Sequence, residues 1–222
     1  MDLLKDKAAI VTGGGRGIGR GHCLHLAQAG ANVLVNDLDV EEAEKVANEI
    51  INLGGIAKAS SQDISSRKGA ETLVNECFDQ LGGLDILVNN AGILRDKSFL
   101  KMTDDDFDSV WNIHVKGTFW CSQSAALIMK EQGKGGSIIN TTSGAHFGNF
   151  GQTNYSSAKG AIASMTYTWA IELAKYGIRV NAIGPTGSTR MSATFNSSKN
   201  TNDEEFAHID PTLNGPLVSY LS

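Results

Sequence analysis

The sequence is poor in proline, cysteine and aromatic residues, and it carries no surplus of positive charge. Three prolines stand beside 25 glycines. That combination points to tight turns and close backbone approaches, and away from proline-rich disorder. The three cysteines, Cys23, Cys77 and Cys121, are widely spaced and form no C-x-x-C or zinc pattern. They read as buried thiols in a reducing compartment, which sets the expectation of a cytoplasmic protein. Lysine and arginine total 19 against 24 acids, a net charge of -5, with no basic run. Neither a nucleic-acid nor an anionic membrane partner is therefore expected. No apolar stretch approaches the ~18 residues of a membrane span. The opening "MDLLKDKAAIVTGG" lacks the apolar core of a signal peptide.

What is present suits one α/β domain covering residues 1–222. Hydrophobic residues make up 41% and charged residues 19%, enough for a sizeable core. Six short apolar runs, 7–12, 31–37, 56–63, 84–92, 136–143 and 178–185, read as strands. Between them lie helical patterns over 17–29, 39–55, 66–83, 104–133 (one long helix or two joined) and 154–177. Strict alternation with nearly continuous apolar strands is the mark of a parallel sheet covered on both faces. The expected fold is a doubly wound, Rossmann-like, three-layer α/β/α sheet. "TDDDFD" (103–108) reads as a capped, acid-rich helix start. After Met191 the chain turns polar and irregular. A mobile substrate flap is expected over 190–212, then a short helix at "PLVSYLS".

"TGGGRGIG" (12–19) joins the first strand to the first helix. A helix N-terminus offers free N–H groups and a partial positive charge, so diphosphate binds there if side chains do not block it. Gly13, Gly17 and Gly19 supply that access. Asp37 ends the second strand, where an acid accepts from an adenosine ribose and repels a 2′-phosphate. This favours NAD(H) over NADP(H). Arg16 within the loop counts the other way, and Asp37 could also be a turn former. Asp63, after the third strand, could touch adenine or cap a helix.

Tyr155 and Lys159 lie four residues apart on one helix and share a face. Small residues (Ser156, Ser157, Ala158, Gly160) surround them. A phenol serves as proton donor and acceptor when its pKa falls toward neutrality, and a neighbouring ammonium would favour the phenolate. Ser143 follows the fifth strand and could orient a substrate oxygen. The carboxyl ends of strands in such a sheet are where ligands bind.

"TGGGRGIG", "NNAG" (89–92), Ser143 and Tyr155-x-x-x-Lys159 occur in the order and spacing of the short-chain dehydrogenase/reductase family, which the sequence resembles from about Lys7 to Met191. Within it, "VLVNDL" (33–38), "IHVKGTF" (113–119) and "GNFGQTNYSSAK" (148–159) look like the (3R)-hydroxyacyl-CoA dehydrogenase part of peroxisomal multifunctional enzymes. Bacterial 3-oxoacyl-(acyl carrier protein) reductases are also similar. The resemblance implies a nicotinamide cofactor held by Gly13, Gly15, Arg16, Gly17, Ile18, Gly19, Asp37, Asp63, Ile64, Asn90, Ala91, Gly92, Tyr155, Lys159, Pro185 and Thr189. It implies Tyr155 as acid/base, Lys159 tuning it and holding the nicotinamide ribose, and a homodimer or homotetramer.

The sequence departs from the family in three places. Aligned on Gly117, His114 stands where the family has a relay asparagine, and a histidine titrating near pH 6.5 would make the relay pH-sensitive. After the sixth strand Thr186 replaces the usual glycine, which leaves the register at Thr189 uncertain. The family's seventh strand is missing from the end, so either the protein is unusual or the sequence is incomplete, and incompleteness is the expectation. His22 and His25 lack a third ligand for a metal. His146 could border the pocket. The functional expectation is an NAD(H)-dependent secondary alcohol/ketone oxidoreductase, on 3-hydroxyacyl thioesters by resemblance. An NADP(H)-dependent carrier-protein ketoreductase and a non-catalytic dinucleotide sensor remain open alternatives.

Overall fold

The computed structural model describes residues 3–186 and 210–222. Thr189, and the expected flap over 190–212 as far as residue 209, lie outside the described residues. The strands are β1 (Ala8–Thr12), β2 (Asn32–Asn36), β3 (Ala57–Ser60), β4 (Ile86–Asn89), β5 (Gly136–Thr141) and β6 (Ile178–Ile183). The helices are α1 (Gly17–Gln28), α2 (Val40–Asn52), α3 (Arg67–Leu81), α4 (Asp104–Trp111), α5 (Thr118–Gln132), α6 (Thr153–Leu173) and α7 (Gly215–Leu221). All pairings are parallel, in the order β3-β2-β1-β4-β5-β6.

The apolar strands bury both faces because successive side chains alternate across the sheet. Ala9, Val11, Val33, Val35, Ile86, Val88 and Ile139 pack on one face against Cys23 and Leu26 of α1, Val46 and Ile50 of α2 and Val218 of α7. Ile10, Leu34, Leu87 and Ile138 face the other way, against Leu73 and Cys77 of α3 and Cys121 and Met129 of α5. The three cysteines are free and buried, as expected. Among the described residues, no helix is long and apolar enough to cross a membrane.

The expected long helix over 104–133 is two helices. Thr103 and Asp106 form a capping box that starts α4. Residues Asn112–Gly117 then make a π-helical turn before α5 begins. Such a turn holds an extra residue and re-aims the side chains within it. His114 is one of them.

The strand order reverses between β1 and β4, so their following loops diverge and open a crevice at the carboxyl end of the sheet. The register brings Val11 opposite Val88, Asn89 opposite Asn140 and Thr141 opposite Ile183. The segments after these strands therefore emerge side by side. A buried polar chain locks four of the elements here, β4, α5, β5 and α6. Asn89 Nδ2 donates to Ser122 Oγ and Asn140 Oδ1, both at 2.9 Å, and Asn140 Nδ2 donates to Thr166 Oγ1 at 2.9 Å.

Candidate functional site

A cavity of about 1130 Å³ occupies the crevice. Its lining includes Gly13, Arg16, Gly17, Ile18, Gly19, Asp37, Asp63, Ile64, Asn90, Ala91, Gly92, His114, Ser143, Tyr155, Lys159 and Pro185. Of the predicted catalytic and cofactor residues among those described, Gly15 is the one off the wall. It lies beside Asp37, and its N–H donates to Asp37 Oδ2 at 3.1 Å.

At one end of the cavity α1 begins without a side-chain cap and without an acid in its first turn. Its first N–H groups are left for an anion. Gly13 and Gly17 have φ of +61° and +52°, values that L side chains rarely adopt. A Cβ on Gly19 would run into the carbonyl oxygen of Gly13. Asn90 Nδ2 clamps the loop, donating to the carbonyls of Thr12 at 3.1 Å and Gly13 at 3.0 Å.

At the tip of β2, Asp37 accepts from Gly15 N and from Asp39 N, the latter at 3.1 Å. An ionised carboxylate has about four lone-pair sites, so acceptor capacity remains. Arg16, the residue that weighed toward NADP(H), is spent elsewhere. It pairs with Asp39 at 2.6 Å and with Glu42 at 3.0 Å. Its hydrogen bond to Asp39 raises its pKa and lowers that of Asp39. Asp63 accepts from Ser65 N at 2.9 Å, while Ser66 caps α3, so the helix-cap alternative for Asp63 falls to its neighbour.

The opposite wall carries the proton-transfer candidates. Lys159 is 3% exposed, and its Nζ donates to the Thr141 carbonyl at 2.6 Å. The same Nζ stands 5.5 Å from the centroid of the Tyr155 ring. Burial pushes the amine down to about 7. Burial also raises the Tyr155 phenol above its ordinary value, Asp96 adds to the rise, and the Ser143 side chain opposes it. The expected acidification of Tyr155 by an ammonium is therefore not present in the chain alone. Desolvation is the largest cause at both groups.

His114 is 1% exposed. Its Nε2 lies 3.0 Å from Ile93 N and 2.9 Å from Ile93 O, and the tautomer decides whether it accepts or donates. Its ring fills the space a Cβ on Gly92 would need. The expectation that it titrates near pH 6.5 is corrected: burial, with Lys159 nearby, lowers it to about 3. Nδ1 is buried without a partner among the described residues.

His146 does not line the cavity; its Nδ1 lies 2.5 Å from the Ser143 carbonyl and its ring stacks on Phe147. His22 is buried in α1, and the ring of His25 lies 3.0 Å from the Gly21 carbonyl. No metal-ligand cluster forms among the described residues. Sequence inspection missed Gln152, Leu38 and Gln62 on the wall. Gln152 stood inside the matched stretch "GNFGQTNYSSAK", but nothing local showed its partner.

A family model described as "short chain dehydrogenase" matches residues 7–200. The chain is 47% identical over 192 residues to a peroxisomal hydratase-dehydrogenase-epimerase of Neurospora crassa, with 86% of this chain and 21% of that protein covered. It is 39% identical over 230 residues to a hydroxyacyl-CoA dehydrogenase of Mycobacterium tuberculosis, covering 97% of this chain and 71% of that one. A crystal structure of a short-chain type dehydrogenase/reductase from Mycobacterium marinum superposes with a TM-score of 0.92 at 31% identity, covering 98% of this chain and 89% of that one. The chain spans about a fifth to a half of the length of the first multifunctional relatives, at 21%, 49% and 24%.

Proposed function

The chain belongs to the short-chain dehydrogenase family, and on that premise we propose that it interconverts a secondary alcohol and a ketone with NAD(H), on 3-hydroxyacyl and 3-oxoacyl thioesters. One observation carries the proposal: Ser143, Tyr155 and Lys159 share a cavity with the uncapped, glycine-lined start of α1 and with Asp37. The name of the Mycobacterium tuberculosis relative, a hydroxyacyl-CoA dehydrogenase, supports the substrate class.

The residues fit a nicotinamide dinucleotide. The start of α1 would hold the diphosphate, Asp37 the adenosine ribose, and Lys159 the second ribose with the N–H groups not given to Thr141. Pairing of Arg16 with two acids, and exposed Leu38 beside Asp37, support NAD(H). The bound dinucleotide supplies the hydride chemistry. Tyr155 takes the hydroxyl proton of the alcohol, or returns it to the ketone oxygen. Ser143 donates its single O–H to that oxygen. Lys159, charged once anionic groups lie nearby, counters the burial that keeps the phenol protonated. His114, neutral across ordinary pH, serves as a fixed polar link behind them.

Three buried free thiols fit a reducing compartment, the cytoplasm by the expectation above. Several relatives are named peroxisomal, so that organelle is the competing location.

The test is a turnover screen with NAD⁺ across 3-hydroxyacyl thioesters, steroids and simple secondary alcohols. Thioester turnover that vanishes in Tyr155→Phe, with NADH affinity retained, is the expected result. Tight NADH binding with no turnover of any alcohol would make the chain a dinucleotide sensor. Tighter binding of NADPH than NADH would overturn the cofactor assignment.

A further inference from the structure

One group of polar side chains at the site has no part in the roles above. Gln152 precedes α6, is 1% exposed and lines the cavity. Its Nε2 donates to both oxygens of Asp96, at 3.2 and 3.1 Å, and its Oε1 accepts from Asn149 Nδ2 at 2.9 Å. Neighbouring bonds run between the same two segments. Lys97 N donates to the Gly151 carbonyl at 2.9 Å. Asn154, fully buried, donates from Nδ2 to the carbonyls of Arg95 at 2.9 Å and Asp106 at 2.8 Å. Its Oδ1 accepts from Tyr155 N at 2.8 Å. The segment after β4 is thus fastened to the first turn of α6, which carries Tyr155.

A glutamine amide buried to this degree and committed to one carboxylate is a directional device. It needs its partner, since an unmet buried amide is costly. We propose that the Asp96–Gln152 pair is a positioning device for Tyr155, fixing the turn that carries the phenol. This rests on Tyr155 being the acid/base of the reaction proposed above.

The groups around Tyr155 come from four elements, and of them Asp96 is exposed. Ser143 follows β5, Lys159 lies one turn further along α6, His114 sits in the π turn, and Asp96 follows β4. His114 is neutral, since burial lowers it to about 3. Burial moves Lys159 down to about 7. Ser143 pulls the phenol down, whereas Asp96 is the acid that pushes it up, after the larger effect of burial. From α4, Asp106 is engaged by Thr103, with Lys97 and Arg95 nearby. Removing the charge at Asp96 while keeping its oxygen should therefore ease ionisation, and removing the clasp should loosen the turn.

Asp96→Asn keeps an acceptor for Gln152 and deletes the charge; Gln152→Ala deletes the clasp. In alcohol oxidation with NAD⁺, Asp96→Asn should keep kcat near the wild-type value, because the clasp survives, and move the acid limb of the kcat/KM profile to lower pH. Gln152→Ala should lower kcat by roughly tenfold, with the NADH dissociation constant unchanged. Tyrosine labelled with ¹³C at Cζ, assigned against Tyr155→Phe, reads the phenol directly and needs no substrate. Its chemical shift at neutral pH should move in Gln152→Ala, where the turn is loosened, and hold in Asp96→Asn, where the clasp survives. A Gln152→Ala variant that changes the melting temperature but neither kcat nor that chemical shift overturns the proposal. If no alcohol turns over while the chemical shift still moves in Gln152→Ala, the proposed reaction fails and the positioning assignment stands.

Discussion

The rings of His114 and Tyr155 meet edge to face, with centroids 5.3 Å apart and planes at 88°. The contact ties the π turn to α6, and the same imidazole reaches Ile93 on the strap after β4. His114→Leu should destabilise the fold by about 1–3 kcal/mol, because a buried backbone group at Ile93 loses its partner. His114→Asn should recover part of that, since an amide can meet one of the two groups. Urea midpoints at pH 7.5 check both. With His114 held near 3, the wild-type rate profile should show no step from this residue between pH 5 and 8.

Gly19→Ala places a methyl against the Gly13 carbonyl, a backbone atom that cannot swing aside. The glycine loop must shift, and with it the uncapped start of α1. NADH titration by fluorescence should show at least a tenfold loss of affinity, which corresponds to about 1.4 kcal/mol. Far-ultraviolet circular dichroism should stay that of the wild type.

Asp37→Ala removes the acceptor at the tip of β2 and the repulsion of a 2′-phosphate. Hydrogen bonds to a charged group are worth about 1.5–3 kcal/mol, so NADH affinity should drop roughly tenfold or more. NADPH affinity should rise in the same variant. Parallel titrations with the two dinucleotides read the ratio. Loss of both affinities together would mean that Asp37 mainly holds the loop through Gly15 N.

Acid should unfold the protein earlier than its carboxylates alone would. His22 is buried, both its ring nitrogens lack partners among the described residues, and burial lowers it from 6.5 to about 4. The unfolded chain binds its proton below pH 6.5 while the folded chain refuses it, so stability falls as pH drops from 6.5 toward 4. The full loss from His22 is roughly 3 kcal/mol. His22→Leu should flatten the fall in the denaturant midpoint between pH 7.5 and 4.5. An unchanged slope would place the acid sensitivity elsewhere.

Tyr167 and Ile171 lie one turn apart on α6, 71% and 80% exposed. Apolar side chains in such a group favour a covered face. Light scattering should find a dimer or tetramer, and Tyr167→Glu with Ile171→Glu should yield a smaller species.

The amino-acid sequence by itself determined the alternating elements, the parallel sheet, the glycine loop and the shared face of Tyr155 and Lys159. These are local properties: apolar period, glycine at positive φ, and i,i+4 spacing act over a few residues. The resemblance to the family singled out His114, by alignment on Gly117, and the structure puts it on the cavity wall. Tertiary structure decided the rest. The joined helices over 104–133 part at a π turn because His114 must reach Ile93 and fit over Gly92, 21 and 22 positions earlier. Asp96 and Gln152 meet across 56 positions, a pairing with no local signature. The direction of the charge effects was likewise hidden. An amine beside a phenol suggests an acidified phenol, yet distant segments bury Lys159 and half-bury Tyr155, and desolvation depends on everything packed around a charge rather than on its neighbours in the chain.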